Sequence, residues 1–352
     1  MNESPRVGYF YSYFPKEILY AFGRVPVRIF PTARDGAEAE PYLHKNFCAL
    51  VQVTLASFLD ESAPADLAGV VFSDICDAHR RLYDVWRAYA NVPVLAFLDL
   101  PRRSDALGQD FYAATLARSV AQLEARFEMT LAADALADSI RLYNHQRALW
   151  NELCAAWVDG RVPTATYYAL REMRFTGDPV NANAQIRDAL ADAASRVPNS
   201  SDAPRLLLMG SLQVQRGLID AIAVSRARII AEDSACDERE VSAPIREEGT
   251  REELLRDLAV KYLVAPAPRL RDLPRRLDYL THLAETRGVN GVICSYYKFC
   301  DLFLAEFPLV KTFFESKKIP VLLLEDEGDP ALSGQARTRL EAFVEMIHEG
   351  HE

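Results

Sequence analysis

Short aliphatic and β-branched runs punctuate the first third of the chain at residues 7–10, 27–30, 68–72 and 94–98, each followed by a segment of helical pattern. Continuous apolar runs of this length suit strands covered on both faces, and their alternation with helices predicts a buried parallel sheet. From residue 105 to about 157 the pattern changes to long runs rich in Ala, Leu, Arg and Glu, with Leu136, Ile140, Tyr143 and Ala148 recurring at helical spacing. The Ala-rich character continues to Arg196, and Pro198, Asn199, Ser200, Ser201 and Asp202 form a linker-like cluster. Strand and helix alternation then resumes at 205–209, 227–231, 291–295 and 320–324, ending in a helix over 335–347. The pattern predicts an α/β chain of two doubly wound parallel-sheet domains, 1–104 and 201–352, joined by a helical connecting region, 105–200. Self-similarity between the halves is too weak to establish a repeat.

At 352 residues and 50% hydrophobic, the chain can bury a core large enough for two domains. A formal charge of -10 and a pI near 5.3 argue against nucleic acid as a partner. Arg269, Arg271, Arg275 and Arg276 are the local exception. Without interleaved aromatics they read as a solvated surface, the sharper alternative being a pocket for the phosphates of a large anionic ligand. No apolar run reaches the roughly 18 residues of a membrane span, and the opening Met-Asn-Glu-Ser-Pro carries no cationic head, so a cytoplasmic protein without a membrane partner is expected. In that compartment the six cysteines are expected to be reduced.

Three cysteines have surroundings that suit ligands: Cys48 in Lys-Asn-Phe-Cys-Ala-Leu, Cys76 in Ser-Asp-Ile-Cys-Asp-Ala-His-Arg-Arg and Cys300 in Tyr-Tyr-Lys-Phe-Cys-Asp. There is no C-x-x-C pair, which speaks against a zinc ribbon or a ferredoxin-type loop, so a cluster would draw on distant positions. Ligands of doubly wound sheets gather beyond the carboxyl ends of the strands. Cys76 and Cys300 follow predicted strands and would sit at such tips, facing the cleft between the domains. A helix opening near Cys76 would aim backbone N–H groups at its sulfur and favour the thiolate. The neighbours Asp74, Asp77, His79, Arg80 and Arg81 look too polar for a packed core. Lys298 and Asp301 flank Cys300, whereas Phe47 and Leu50 leave Cys48 the least certain of the three from chemistry alone. Converging thiolates could hold an iron–sulfur cluster with one iron open to substrate. Cys154 on a helix and Cys294 in a strand read as small buried hydrophobes, and Cys236 in a polar loop as a residue behind the site or one merely tolerated. The chain lacks the P-loop, G-x-G-x-x-G, G-x-S-x-G and H-E-x-x-H patterns and any ligand-spaced histidine pair. Met209-Gly210-Ser211 reads as a plain strand-to-helix connection.

Several segments carry a family resemblance in this order: Tyr11-Ser12-Tyr13-Phe14-Pro15-Lys16-Glu17 with Val25-Pro26-Val27-Arg28; Cys76-Asp77 with Arg80-Arg81-Leu82-Tyr83 and Trp86; Lys298-Phe299-Cys300-Asp301; Pro320 through Glu325; and Gln335 through Arg339 with Glu341-Ala342-Phe343. The chain resembles a subunit of the 2-hydroxyacyl-CoA dehydratase and benzoyl-CoA reductase family, of the 2-hydroxyglutaryl-CoA dehydratase D-component type. The resemblance implies that Cys48, Cys76 and Cys300 bind one [4Fe-4S] cluster in the cleft, its fourth iron left to water, hydroxide or substrate. It also implies an acyl-CoA thioester substrate, pairing with a related second subunit or with itself, and electrons from a separate ATP-hydrolysing iron–sulfur activator. The missing P-loop agrees with that division of labour.

Removing water from a 2-hydroxyacyl thioester defeats ordinary acid–base chemistry, because the β-proton is not acidic. One low-potential electron at the thioester carbonyl gives a ketyl radical anion that expels the neighbouring hydroxyl, and the electron then returns. The open iron could act as a Lewis acid, while the protein must supply a dry cleft, orientation and a base. Ser12 and Glu17, just past the first strand, are the candidate catalytic groups; their plainer reading is a turn residue and a helix N-terminal carboxylate. Asp77 and Asp301 adjoin ligands and either cap helices or tune the cluster. Two other functions stay open: an aromatic acyl-CoA or other small-substrate reductase of the same family, and a cluster-free α/β scaffold or partner subunit.

Overall fold

The computed structural model describes residues 4–349 apart from 33–34, 61, 65, 199–201, 211–215, 235–243, 265–266, 268–271 and 330. Cys236, Ser211, Arg269, Arg271 and the middle of the expected linker lie outside the described residues. The strands are β1 (Arg6–Tyr9), β2 (Val25–Arg28), β3 (Leu67–Ser73), β4 (Val94–Leu98), β5 (Arg205–Gly210), β6 (Arg228–Asp233), β7 (Gly291–Tyr297) and β8 (Val321–Asp326). They form two four-stranded sheets of order β2-β1-β3-β4 and β6-β5-β7-β8, parallel throughout. The second order repeats the first, each sheet reversing direction between its first and third strands. That crevice is where doubly wound sheets place their ligands.

All eight runs expected from the apolar pattern are strands, 94–98 with both ends as expected and the other seven with one or both ends shifted. β2 starts two residues before the expected run and takes in Pro26, which pairs opposite Val7. Proline is accommodated because β2 is an edge strand, where a missing N–H breaks no second ladder.

Helices α1 (Lys16–Ala21), α2 (Ala49–Leu59) and α3 (Asp77–Tyr89) serve the first sheet. The connecting region is α4 (Ala106–Phe127), α5 (Ala133–Val158), α6 (Thr164–Thr176) and α7 (Pro179–Ala194). The second half carries α8 (Arg216–Val224), α9 (Arg251–Val264), α10 (Leu273–Arg287), α11 (Asp301–Ser316) and α12 (Gly334–Glu349). Side-chain oxygens start several of these: Asp105 accepts the Gly108 N–H at 3.1 Å, and Asp178 accepts that of Val180 at 2.9 Å with Pro179 in the first turn.

Alternation along the second sheet divides the interior. Leu207, Met209, Val292 and Cys294 join the core that surrounds the first sheet, whereas Leu206, Leu208, Ile293 and Leu322 pack with Trp150, Leu153 and Trp157 of α5 and Phe343 of α12. Helix α5 takes part in both cores, through Leu136 and Ile140 near its start and Trp150 onward near its end. One rigid helix thus fixes the two halves to each other. Arg276, expected at a solvated surface, is 2% exposed: it bonds Asp233 at the end of β6 and Glu306 of α11, each at 2.9 Å. A buried guanidinium is tolerable only with such partners. No helix among the described residues is long and apolar enough to cross a membrane.

Candidate functional site

Each of the three candidate cysteines occupies the residue just before a helix. Cys76 follows β3 by a short turn and precedes α3, in extended backbone (φ -154°, ψ 172°), and its Sγ accepts the His79 N–H at 3.4 Å. Cys300 holds the corresponding place after β7, ahead of α11, and Cys48 precedes α2, where the Leu50 and Val51 N–H groups face its sulfur. Helix starts prefer Ser, Thr, Asp or Asn, whose oxygens cap better than sulfur. Three cysteines in that role put three sulfurs at the positive ends of helix dipoles, an environment that favours thiolates.

The loops carrying them are joined across the halves. The Ala49 N–H donates to the Lys298 carbonyl at 3.0 Å, and the Lys298 N–H to the Asp326 carbonyl at 2.7 Å. Cys48 and Cys300 consequently sit side by side. The hydrogen bond with the Cys300 thiol, followed by burial, raises the Cys48 thiol well above its ordinary value. Cys48 and Cys300 are buried, Cys76 is half-buried, and all three are free thiols.

Tyr11, two residues past β1, turns toward the same place. Its φ of 57° puts a bulky side chain in the left-handed region, as does the 60° of Phe299 next to Cys300. Such strain persists only where surrounding structure imposes it, and it gathers at functional sites. Burial, and then the sulfurs of Cys76, Cys48 and Cys300 and the Tyr297 hydroxyl, raise the Tyr11 phenol well above its ordinary value. His79 lies behind Tyr11, its ring 5.7 Å away and edge-on, and its Nδ1 is 2.9 Å from the Ser73 carbonyl oxygen. It is 2% exposed and packs against Phe10 and Phe72, so the expectation of a polar setting around Cys76 fails at this residue. Asp77 does fit that expectation, exposed and 3.7 Å from Arg81.

Ser12 Oγ accepts a hydrogen bond from Arg28 Nη2 at 3.0 Å. Glu17 is fully buried; one carboxylate oxygen pairs with Arg147 and the other accepts the Tyr262 hydroxyl at 2.7 Å. Asp301 is exposed at the first position of α11. Around Ser12 and Glu17 lies a group of buried bases that sequence reading missed. Arg28 stacks on Phe175 at 3.9 Å from the ring centroid, Arg174 at 4.4 Å and Lys16 at 4.9 Å. Arg171 pairs with Glu232 at 2.8 Å. Cys294 and Cys154 are core residues in contact with tyrosines, and burial pushes the Cys294 thiol up to about 12. Among the described residues, no three His, Cys, Asp or Glu side chains close on one point as a single metal ion would require.

Residues 11–347 match the family profile described as 2-hydroxyglutaryl-CoA dehydratase, D-component. The chain is 22% identical over 340 residues to the (R)-phenyllactyl-CoA dehydratase beta subunit of Clostridium sporogenes, covering 95% of this chain and 90% of that one. It is 24% identical to the lactoyl-CoA dehydratase subunit beta of Anaerotignum propionicum, covering 97% and 91%. To one of the subunits of benzoyl-CoA reductase from Thauera aromatica it is 25% identical, covering 97% and 90%.

Proposed function

The chain belongs to the 2-hydroxyglutaryl-CoA dehydratase D-component family, and from that premise we propose that it is one subunit of a 2-hydroxyacyl-CoA dehydratase in which Cys48, Cys76 and Cys300 bind a [4Fe-4S] cluster. One observation carries this reading: three cysteines from distant parts of the chain open three helices at the carboxyl ends of both sheets, with Cys48 and Cys300 brought side by side across the halves. The donor set suits the group. Three thiols with backbone N–H groups at two of them offer hydrogen bonds to charged sulfur, and a cluster held at three corners needs sulfurs facing a shared space rather than touching one ion. When bound, the cluster would supply a one-electron carrier with an open iron that polarises a substrate oxygen.

The chain's own groups would orient the substrate and exclude water. Ser12, held by Arg28 and adjacent to Tyr11, is proposed to meet the thioester or its hydroxyl. For Glu17 we propose a positioning role, because both of its oxygens are engaged and tie α1 to α5 and α9. The beta-subunit names of the relatives support a second subunit as partner. A separate ATP-hydrolysing activator as electron source is part of the proposal, as is an acyl-CoA substrate.

The test is iron and acid-labile sulfide per chain after anaerobic purification. Roughly four irons per chain are expected in the wild type, lost in Cys48→Ala, Cys76→Ala and Cys300→Ala but kept in Cys154→Ala. Iron absent throughout, or indifferent to all three changes, refutes the cluster and leaves a scaffold role. The likeness to a benzoyl-CoA reductase chain favours one second reading, a role in reduction. Net consumption of reductant per turnover selects it, since dehydration returns its electron.

A further inference from the structure

We propose that the Tyr11 hydroxyl is the hydrogen-bond donor from outside the ligand helices to the three-cysteine site, raising the reduction potential of the redox group held there. The inference rests on the cluster reading of Cys48, Cys76 and Cys300 and goes beyond it by giving a fourth residue a defined effect.

Sulfur ligands and the cluster they hold carry net negative charge, and hydrogen bonds to them set how easily an electron is added. The donors already described come from the ligands' own helices: the Leu50 and Val51 N–H groups at Cys48 and the His79 N–H at Cys76. Tyr11 approaches from another element, the tip of β1, and its hydroxyl lies within electrostatic reach of all three sulfurs. A desolvated tyrosine hydroxyl ordinarily finds an acceptor. Tyr112 finds the Tyr13 carbonyl, Tyr168 finds Glu232 and Tyr262 finds Glu17. Tyr11 is half-buried, and no described residue accepts from its hydroxyl. Its backbone is held in the left-handed region and its ring lies edge-on to His79, whose N–H donates to Cys76 Sγ, which sets the residue beside the site. A neutral phenol carries one O–H, which charged sulfur can only accept.

The experiment is an anaerobic redox titration of the reconstituted full chain, followed by visible absorption and electron paramagnetic resonance, on wild type, Tyr11→Phe and Tyr168→Phe. Tyr11→Phe keeps the ring and removes only the donor. It is expected to retain wild-type iron and sulfide while its reduction equilibrium constant falls about fivefold to tenfold, the worth of one net hydrogen bond; Tyr168→Phe is expected to match the wild type. An unchanged midpoint in Tyr11→Phe with full iron content overturns the inference. An equal shift in Tyr168→Phe does so too, and so does loss of iron in Tyr11→Phe, because a tuning donor is dispensable for assembly. A wild type without iron fails the cluster reading itself, before any titration begins.

Discussion

Glu17→Gln keeps the shape of a fully buried side chain and removes its charge, leaving Arg147 as a cation with 8% of its side chain exposed. Breaking one partner out of a buried ion pair costs about 3–5 kcal/mol. The glutamine oxygen still accepts from Arg147, which recovers about 1 kcal/mol, and Arg147 keeps its 2.8 Å bond to Asn144 Oδ1. Tyr262 must turn its hydroxyl from donor to acceptor opposite the new amide. The net loss is about 2–4 kcal/mol, or roughly thirtyfold to several hundredfold in the folding equilibrium, at 1.4 kcal/mol per factor of ten. Urea unfolding followed by tryptophan fluorescence measures it, with the fully buried Trp150 of α5 one turn from Arg147. Arg147→Met alone strands the carboxylate instead and should cost a similar amount, while the double variant should cost at least about 2 kcal/mol less than the sum. Additive costs, or a Glu17→Gln chain within about 0.5 kcal/mol of wild type, would refute the assignment of Glu17 as an anchor. Wild-type stability with turnover abolished would return it to the reacting groups.

Gly328→Ala places a methyl 2.6 Å from Val53 Cγ1 on α2, at a backbone φ of 94°. Overpacking and the left-handed backbone together cost about 2–4 kcal/mol, seen as a lower melting temperature; an unchanged value would mean that α2 can shift freely against the second half. Cys294 gives a pH dependence. Its folded pKa is raised to about 12, so the stability linked to it is complete below the unfolded value of about 8.5 and is lost as pH rises from there toward about 12. Wild type should lose more stability between pH 8 and pH 10 than Cys294→Ala does, and equal losses in urea midpoints would exclude the linkage.

The strands were legible because a buried parallel strand is a short contiguous apolar run, which local composition reveals. The apolar pattern places the start of β2 two residues late because Pro26 normally ends a strand, and only the sheet order shows that this one is an edge. The positions of Cys76 and Cys300 at strand tips followed from topology alone. The pattern around His79 is polar, because its aromatic pocket is built by Phe72 of β3 and by Phe10, just past β1, which folding alone brings to it. Arg28, Arg174 and Lys16 were missed for a similar reason: Phe175, on which all three stack, lies far from Lys16 and Arg28 in sequence. Tyr11 lay inside the segment that carried the family resemblance, yet no local pattern announces a left-handed tyrosine. Its signal is strain, which exists only once the chain is folded.

Cys48 and Cys76 belong to a sheet whose last strand ends at Leu98, while the third cysteine is numbered 300. A ribosome adding about 5–20 residues per second needs about 10–40 s to cover that interval. During that time the first sheet can pair its strands, but Cys48 has no Cys300 beside it and Ala49 has no Lys298 carbonyl to bond. Two of the three thiols therefore wait, incompletely covered, for a partner that emerges last. Completing the site is a late event in the life of each chain, and a truncated product would display two reactive thiols with nothing to hold between them.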